Sequence, residues 1–362
     1  MRCVSNALME YGCRTPSVGG PGRRLRPGRC AIAIPAPTAD NVGPTTHDPA
    51  TPGPEGTDDT RRGGGVEILD PTAGTGTGRS ARLPHPRVNP RTSIPFFLLH
   101  LVPLLAIFTG VTWTAVWIFL AMYWGRMFFI TAGYHRYFSH RAYRTGRVFQ
   151  AILAFGGCAA AQKGPLWWAG HHRIHHRYSD MPEDPHTPRK GFWWSHVGWI
   201  LCDETSARPE GTMKEYADVP EIRWIDRHDW VAPWSFAVVS FLVGGWSGLV
   251  FGFVGSTVLL WHSTFLINSL AHVWGSRRFE TTDTSRNNFA LAVLTMGEGW
   301  HNNHHRYAHL ARQGLYWWEV DASYWILCGL EKLGVVWDLK RPRPEWLTER
   351  AAQHEADLPT PD

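Results

Sequence analysis

The chain has 362 residues, enough for one large domain or two ordinary ones, and 44% hydrophobic content with 20 Trp is rich for a water-soluble protein. Its 36 Lys and Arg against 31 Asp and Glu leave a net charge of +5, and the cations are scattered among Trp and His instead of forming a stripe, which argues against nucleic acid as a partner. Six cysteines, at Cys3, Cys13, Cys30, Cys158, Cys202 and Cys328, include no C-x-x-C pair, so neither a zinc ribbon nor a disulfide framework is expected.

Residues 1–90 are dense in Gly, Pro, Thr and Arg ("NVGPTTHDPATPGPEGTDDTRRGGG") and show no apolar periodicity to offset the entropy of ordering. They are predicted to be a disordered tail, and no basic start followed by an apolar run marks a cleaved secretory signal there. A second tail is expected over 343–362, leaving one domain over 91–342.

The first apolar block, "IPFFLLHLVPLLAIFTGVTWTAVWIFLAMYWGRMFFI", is long enough for two membrane helices, at about 94–110 and 111–132, with a break at Gly110. The second block breaks at "GGWSG" and predicts another hairpin, at about 230–246 and 248–270. Neither tip is charged, whereas Arg82, Arg87 and Arg91 precede the first hairpin, and Arg136, Arg141, Arg144 and Arg147 follow it. The positive-inside rule then puts both termini, residues 133–229 and residues 273–342 in the cytoplasm. The fold class expected is all-α and integral to the membrane: four transmembrane helices as two hairpins, plus a cytosolic helical domain. Gly/Pro/Arg-rich style and the lack of an ER-retention signal point to a bacterial plasma membrane.

Eight histidines fall in three clusters: His135 and His140 in "HRYFSH", His172, His175 and His176 in "HHRIHHRYSD", and His301, His304 and His305 in "GEGWHNNHHRYAHL". Spacings of i, i+3 and i+4 put each triplet on one helical face, where it can aim at a common point. His135 and His140, about 140° apart on an ideal α-helix, are expected to serve different metals or to straddle a helix end. "NSLAH" adds Asn268 and His272. Nine imidazoles are too many for one metal and about right for two, and imidazole suits Zn, Cu, Fe and Ni alike.

These boxes, "HRYFSH", "HRIHHRYSDMPEDPHTPRKGFWWSHVGW", "NSLAH" and "GEGWHNNHH", in this order between two hairpins, resemble the membrane fatty-acyl Δ9 desaturases of the stearoyl-CoA desaturase type. The resemblance covers roughly residues 94–340. It implies a di-iron site held by His135, His140, His172, His175, His176, His272, His301, His304 and His305, with Asn268 acting through water. It also implies O2 as co-substrate, a cis double bond at carbon 9 of a saturated long-chain acyl group, and acyl-CoA as the carrier. Arg189 and Lys190 match basic residues near the CoA phosphates, and a cationic pair suits a phosphate. Gly170 and His171 depart from the Arg-Asp pair of the animal acyl-CoA enzymes. In such enzymes an acyl tunnel runs back between the membrane helices, and Phe119 and Tyr123 are the rings expected to close it.

No haem-binding or flavin-binding stretch is evident, so electrons are expected from a separate ferredoxin, cytochrome b5 or reductase. A membrane di-iron hydroxylase would use the same histidines. A non-enzymatic membrane metal-binding protein or zinc transporter is a further alternative, disfavoured because transporters place ligands within the span, near the midplane.

Overall fold

The computed structural model describes residues 87–343; the two expected tails lie outside these residues except at their inner edges. The first apolar helix starts at Pro90, four residues ahead of the expected boundary. Asn89 is its N-cap, accepting from the Arg91 amide at 2.9 Å, and Pro90 occupies the first turn, where its missing N–H costs nothing.

Among the described residues, three helical stretches are long and apolar enough to cross a membrane: Pro90–Thr109, Trp113–Ser139 and Val231–His272. The first turns into the second at Gly110, whose φ of 66° falls in the left-handed region that glycine tolerates, and the Thr112 side chain caps the restart. The third is 42 residues long and is interrupted at Gly245, with φ 60° and ψ −153°. The chain doubles back there, so that a Cβ on Gly248 would lie only 2.4 Å from the Ser240 carbonyl oxygen. The two turns are tied together: Ser247 Oγ donates to the Gly110 carbonyl at 2.9 Å and accepts from the Thr112 amide at 3.2 Å.

Deeper in the same layer, Arg126 is 2% exposed and joins the second and third stretches. Its guanidinium donates to Met122 O, Thr257 Oγ1, Ser256 Oγ and Ala159 O, and lies 4.9 Å above the Phe253 ring. A cation away from water is tolerable only with such a full set of acceptors.

The second stretch changes character at Phe129. Over Phe129–Ser139 it is a π-helix, buried from Ile130 to Ser139, and the His140 amide bonds to the His135 carbonyl at 3.2 Å. Around it pack the helices Arg147–Cys158, Pro165–Tyr178 and Ala322–Lys332, with Pro220–Arg227 laid on the first two and Tyr134, Phe138, Leu153, Leu166, Ile222 and Leu327 in the core. Strand β1 (Arg144–Thr145) pairs antiparallel with β2 (Val336–Trp337), pinning the segment after the helix Ala322–Lys332 against the exit of the π-helix.

The third histidine cluster is positioned by a close backbone approach. A Cβ on Gly299 would sit 2.0 Å from the Ala292 amide nitrogen and 2.5 Å from the Asn288 carbonyl oxygen, both backbone atoms of the neighbouring turn. Since backbone cannot swing aside like a side chain, Gly299→Ala is expected to destabilise by at least the roughly 1–3 kcal/mol of ordinary overpacking. The check is the thermal midpoint of detergent-solubilised protein, which should fall well below that of the parent; an unchanged midpoint would refute this packing argument.

Candidate metal centre

The π-helix decides how the first pair of histidines is aimed. Because its hydrogen bonds close at i+5, residues five apart return to nearly the same face, and the rings of His135 and His140 lie 4.8 Å apart, in one cluster. The expectation that they serve different metals, built on α-helical geometry, is corrected; His140 does sit at the helix end, as its C-cap.

The two triplets do not aim at one point each, as expected. On the helix Pro165–Tyr178, His172 and His176 join His135 and His140, while His175 turns to a second group. On His301–Arg306 the split is reversed: His304 joins the first group, and His301 and His305 the second. Positions i and i+4 are separated by about 40° around an α-helix, whereas i+3 and i+4 differ by about 100°, so each triplet fans into two directions. The result is one group of His135, His140, His172, His176 and His304, and another of His175, His272, His301 and His305. All nine histidines singled out from the sequence are brought together.

Their Nε2 atoms face each other. His304 Nε2 lies 3.0 Å from that of His135 and 2.9 Å from that of His176, and His140 lies 2.9 Å from His172. In the second group His305 Nε2 is 3.0 Å from His301 and 3.4 Å from His175, and His272 is 3.1 Å from His301. Burial, reinforced by the neighbouring imidazoles, holds His140, His172, His176, His301 and His304 well below the usual histidine range, and His305 at about 4. These six rings are therefore neutral, and all nine turn Nε2 into two shared spaces. Such an array repels itself unless a cation lies at each focus, and an all-imidazole donor set fits Fe, Zn, Cu or Ni.

Four of the opposite ring nitrogens are anchored to carboxylates. His175 Nδ1 meets Asp184 Oδ2 at 2.9 Å, His305 Nδ1 meets Asp283 Oδ2 at 2.7 Å, His272 Nδ1 faces Asp180 Oδ1 at 3.3 Å, and His135 Nδ1 meets Glu298 Oε2 at 2.5 Å. An acceptor at Nδ1 fixes the tautomer that leaves Nε2 free for a metal, and raises its basicity. Burial pushes the Asp184 and Asp283 carboxyls up, but His175 and His186 beside the first, and His305 beside the second, bring both well below the usual carboxylate range. Glu298 is in turn held by Arg136 Nη2 at 3.1 Å and by Gln313 Nε2 at 2.8 Å. Sequence reading passed over Asp180, Asp184 and Asp283. The available signal was "HHRYSDMPED", where three acids, Asp180, Glu183 and Asp184, follow the second cluster within one short turn-rich stretch.

Beside the first group opens an apolar cavity of about 700 Å³. It is lined near the histidines by Trp168, His172 and Asn268, and extends along the first membrane helix through Phe96 and Leu99 to Thr109. Asn268, the last residue of its helix, thus faces this cavity. Phe119 and Tyr123, expected to close a tunnel, do not line it: Phe119 stacks on Phe251 at 5.2 Å, and the Tyr123 hydroxyl lies 2.9 Å from both Ser263 Oγ and Leu294 O. Both rings are spent on helix packing, and the residues at the cavity's far end are Leu105, Thr109 and Trp246. Arg189 and Lys190 lie apart from the histidines on an exposed turn, with Lys190 Nζ 4.9 Å from the Trp194 ring centre.

The family model for fatty acid desaturases matches residues 111–329. Among curated proteins, the chain is 37% identical over 244 residues to an sn-2 palmitoyl-lipid 9-desaturase of Nostoc sp. (strain 36), covering 66% of this chain and 85% of that one. It is 38% identical over 259 residues to an sn-1 stearoyl-lipid 9-desaturase of Anabaena variabilis, covering 70% and 95%. It is also 36% identical over 235 residues to an acyl-CoA Delta5-desaturase of Anemone leveillei, covering 64% and 75%.

Replacing Asp184 or Asp283 with Asn keeps shape but removes the charge that backs His175 or His305. Each change is expected to weaken metal binding by about 10–100-fold with the fold retained. Titration of metal-stripped protein with Fe2+, alongside circular dichroism, measures both; parental affinity in both variants would show that these carboxylates do not support the site.

Proposed function

The chain belongs to the fatty acid desaturase family, and from that premise we propose that it is an O2-dependent enzyme placing a cis double bond at carbon 9 of a saturated long-chain acyl group. The observation that carries this reading is the pair of histidine foci beside an apolar cavity that runs between membrane helices. In this reading the interrupted stretch Val231–His272 crosses the bilayer twice, making four spans, with both termini and the histidines on the cytoplasmic side of a bacterial plasma membrane. The domain then runs over 91–342, between tails 1–90 and 343–362.

Two irons, held by His135, His140, His172, His176 and His304 and by His175, His272, His301 and His305, with Asn268 acting through water, would supply the oxidising power, drawn from O2, that unactivated C–H bonds require. The chain's own residues do the rest. Asp180, Asp184, Asp283 and Glu298 keep the imidazoles aimed. Gln162 Nε2 donates to Thr264 Oγ1 at 3.1 Å and accepts at Oε1 from Trp168 Nε1 at 3.1 Å, fixing the cavity wall beside His172 so that one stretch of the acyl chain is presented. Phe96, Leu99 and Trp261 bind the methylenes and exclude water.

For the carrier we infer coenzyme A, with Arg189 and Lys190 available to its phosphates. A second reading, an acyl chain carried on a glycerolipid, is favoured by the names of the two cyanobacterial relatives and by the absence of a charged pair at Gly170 and His171. A soluble donor such as a ferredoxin or cytochrome b5, or a reductase, supplies the electrons.

Fatty-acid profiling of cells expressing the chain tests the reaction: Δ9 monounsaturated products should accumulate, and hydroxylated products in their place would favour a hydroxylase. His304→Ala should abolish the product while membrane insertion persists, and purified enzyme offered stearoyl-CoA or a stearoyl-glycerolipid separates the two carriers. Because Thr109 lies at the cavity's far end, Thr109→Trp is expected to shift product towards shorter chains, by roughly 1–3 kcal/mol of discrimination per excluded methylene. An unchanged chain-length profile in the active variant would place the end of the acyl site elsewhere.

A further inference from the structure

The first histidine group has a second opening. His140 is half-buried and lines a cleft of about 610 Å³ that shares no residue with the apolar cavity. The remaining walls are Tyr137, Tyr143 and Tyr216 below, and Arg141, Arg144, Trp337 and Lys340 at the rim. Two entrances of opposite character thus reach the same cluster, one apolar at His172 and one basic at His140.

The rim is cationic and exposed. Three cations, Arg141, Arg144 and Lys340, stand against one lining carboxylate, Asp338, giving +2. The pairs Arg144–Asp338 at 3.5 Å and Arg141–Glu215 at 3.4 Å are solvent-exposed and hence weakly held, so their cations can exchange partners. Trp337, 43% exposed, offers a flat apolar anchor among them. The backbone is also fixed with unusual care: Arg141 and Asp338, across the cleft from each other, both have left-handed φ, 49° and 54°, and β1 and β2 pair Arg144 with Trp337. Strain of this kind persists where the surrounding structure over-determines it, and it collects at functional surfaces.

We propose that this cleft is the docking face for an acidic one-electron carrier protein, and that electrons enter the centre through the His140 imidazole. The proposal rests on the desaturase reading, in which O2, two electrons, two protons and two substrate hydrogens become two waters. Two carriers, each oxidised by one electron, must therefore dock in turn without crossing the acyl cavity. The basic rim steers an acidic surface to the cleft, and the single imidazole ring of His140 separates the cleft from the cluster, with its Nε2 2.9 Å from His172 and its ring 4.7 Å from that of His304.

The test uses full-length, iron-loaded protein in nanodiscs, with turnover driven by a small acidic [2Fe–2S] ferredoxin or by dithionite. In Arg144→Glu/Lys340→Glu the ratio of ferredoxin-driven to dithionite-driven turnover should fall by about tenfold or more at low salt, the Kd of oxidised ferredoxin for the nanodisc-held protein should rise to match, and both deficits should shrink as ionic strength rises. The charge-keeping pair Arg144→Lys/Lys340→Arg should retain the parental ratio, as should Arg223→Glu, which does not line the cleft. A parental ratio in the Glu pair, or a raised KM for the acyl substrate instead of the carrier, would overturn the proposal. No unsaturated product from the parent under either reductant would instead remove the desaturase reading, and this proposal with it.

Discussion

Nine clustered imidazoles with their Nε2 atoms turned inward are the constraint on which this molecule is built. Nε2 atoms 2.9–3.4 Å apart in buried surroundings repel unless cations occupy the foci. Everything near them works to hold that unfavourable array in place. Carboxylates grip four of the rings from behind, and Arg136 with Gln313 grips one of those carboxylates in turn. This chain of support reaches Asp321, which meets Arg136 Nη1 at 2.9 Å and caps the helix Ala322–Lys332. The site is therefore continuous with the fold's polar core.

The same constraint explains the irregular backbone. An α-helix through residues 129–139 would point His135 and His140 in divergent directions; the π-helix brings them together, at the cost of poorer hydrogen bonding that surrounding packing offsets. Asp180 adopts a φ of 62°, unusual outside glycine but tolerable for Asp, directly after the histidine helix, and its carboxylate reaches back to His272 and Thr284. Gly299 permits backbone contact just before His301. Each irregularity serves to aim an imidazole.

Around this centre the surroundings differ by direction. Towards the membrane helices lie Trp168, Phe96 and Trp261, apolar surface suited to methylenes. Away from them lie exposed arginines and a lysine. One cluster thus has two openings of contrasting chemistry, an apolar one at His172 and a basic one at His140.

Legible in the residues alone were the local terms: the apolar lengths, the breaks at Gly110 and within "GGWSG", and the nine histidines, because composition and short spacing carry that information directly. The sequence could not say how the imidazoles divide, since the division depends on a π-helix that α-helical arithmetic does not anticipate and on how two triplets meet across the core. Nor could it rank Asp180, Asp184 and Asp283 above other acids, because a carboxylate becomes a support only when a ring nitrogen is placed against it. Phe119 and Tyr123 show the same limit. Their spacing correctly put them on one helical face, but which neighbour that face meets is decided by tertiary packing, and it meets Phe251 and Ser263 instead of the cavity.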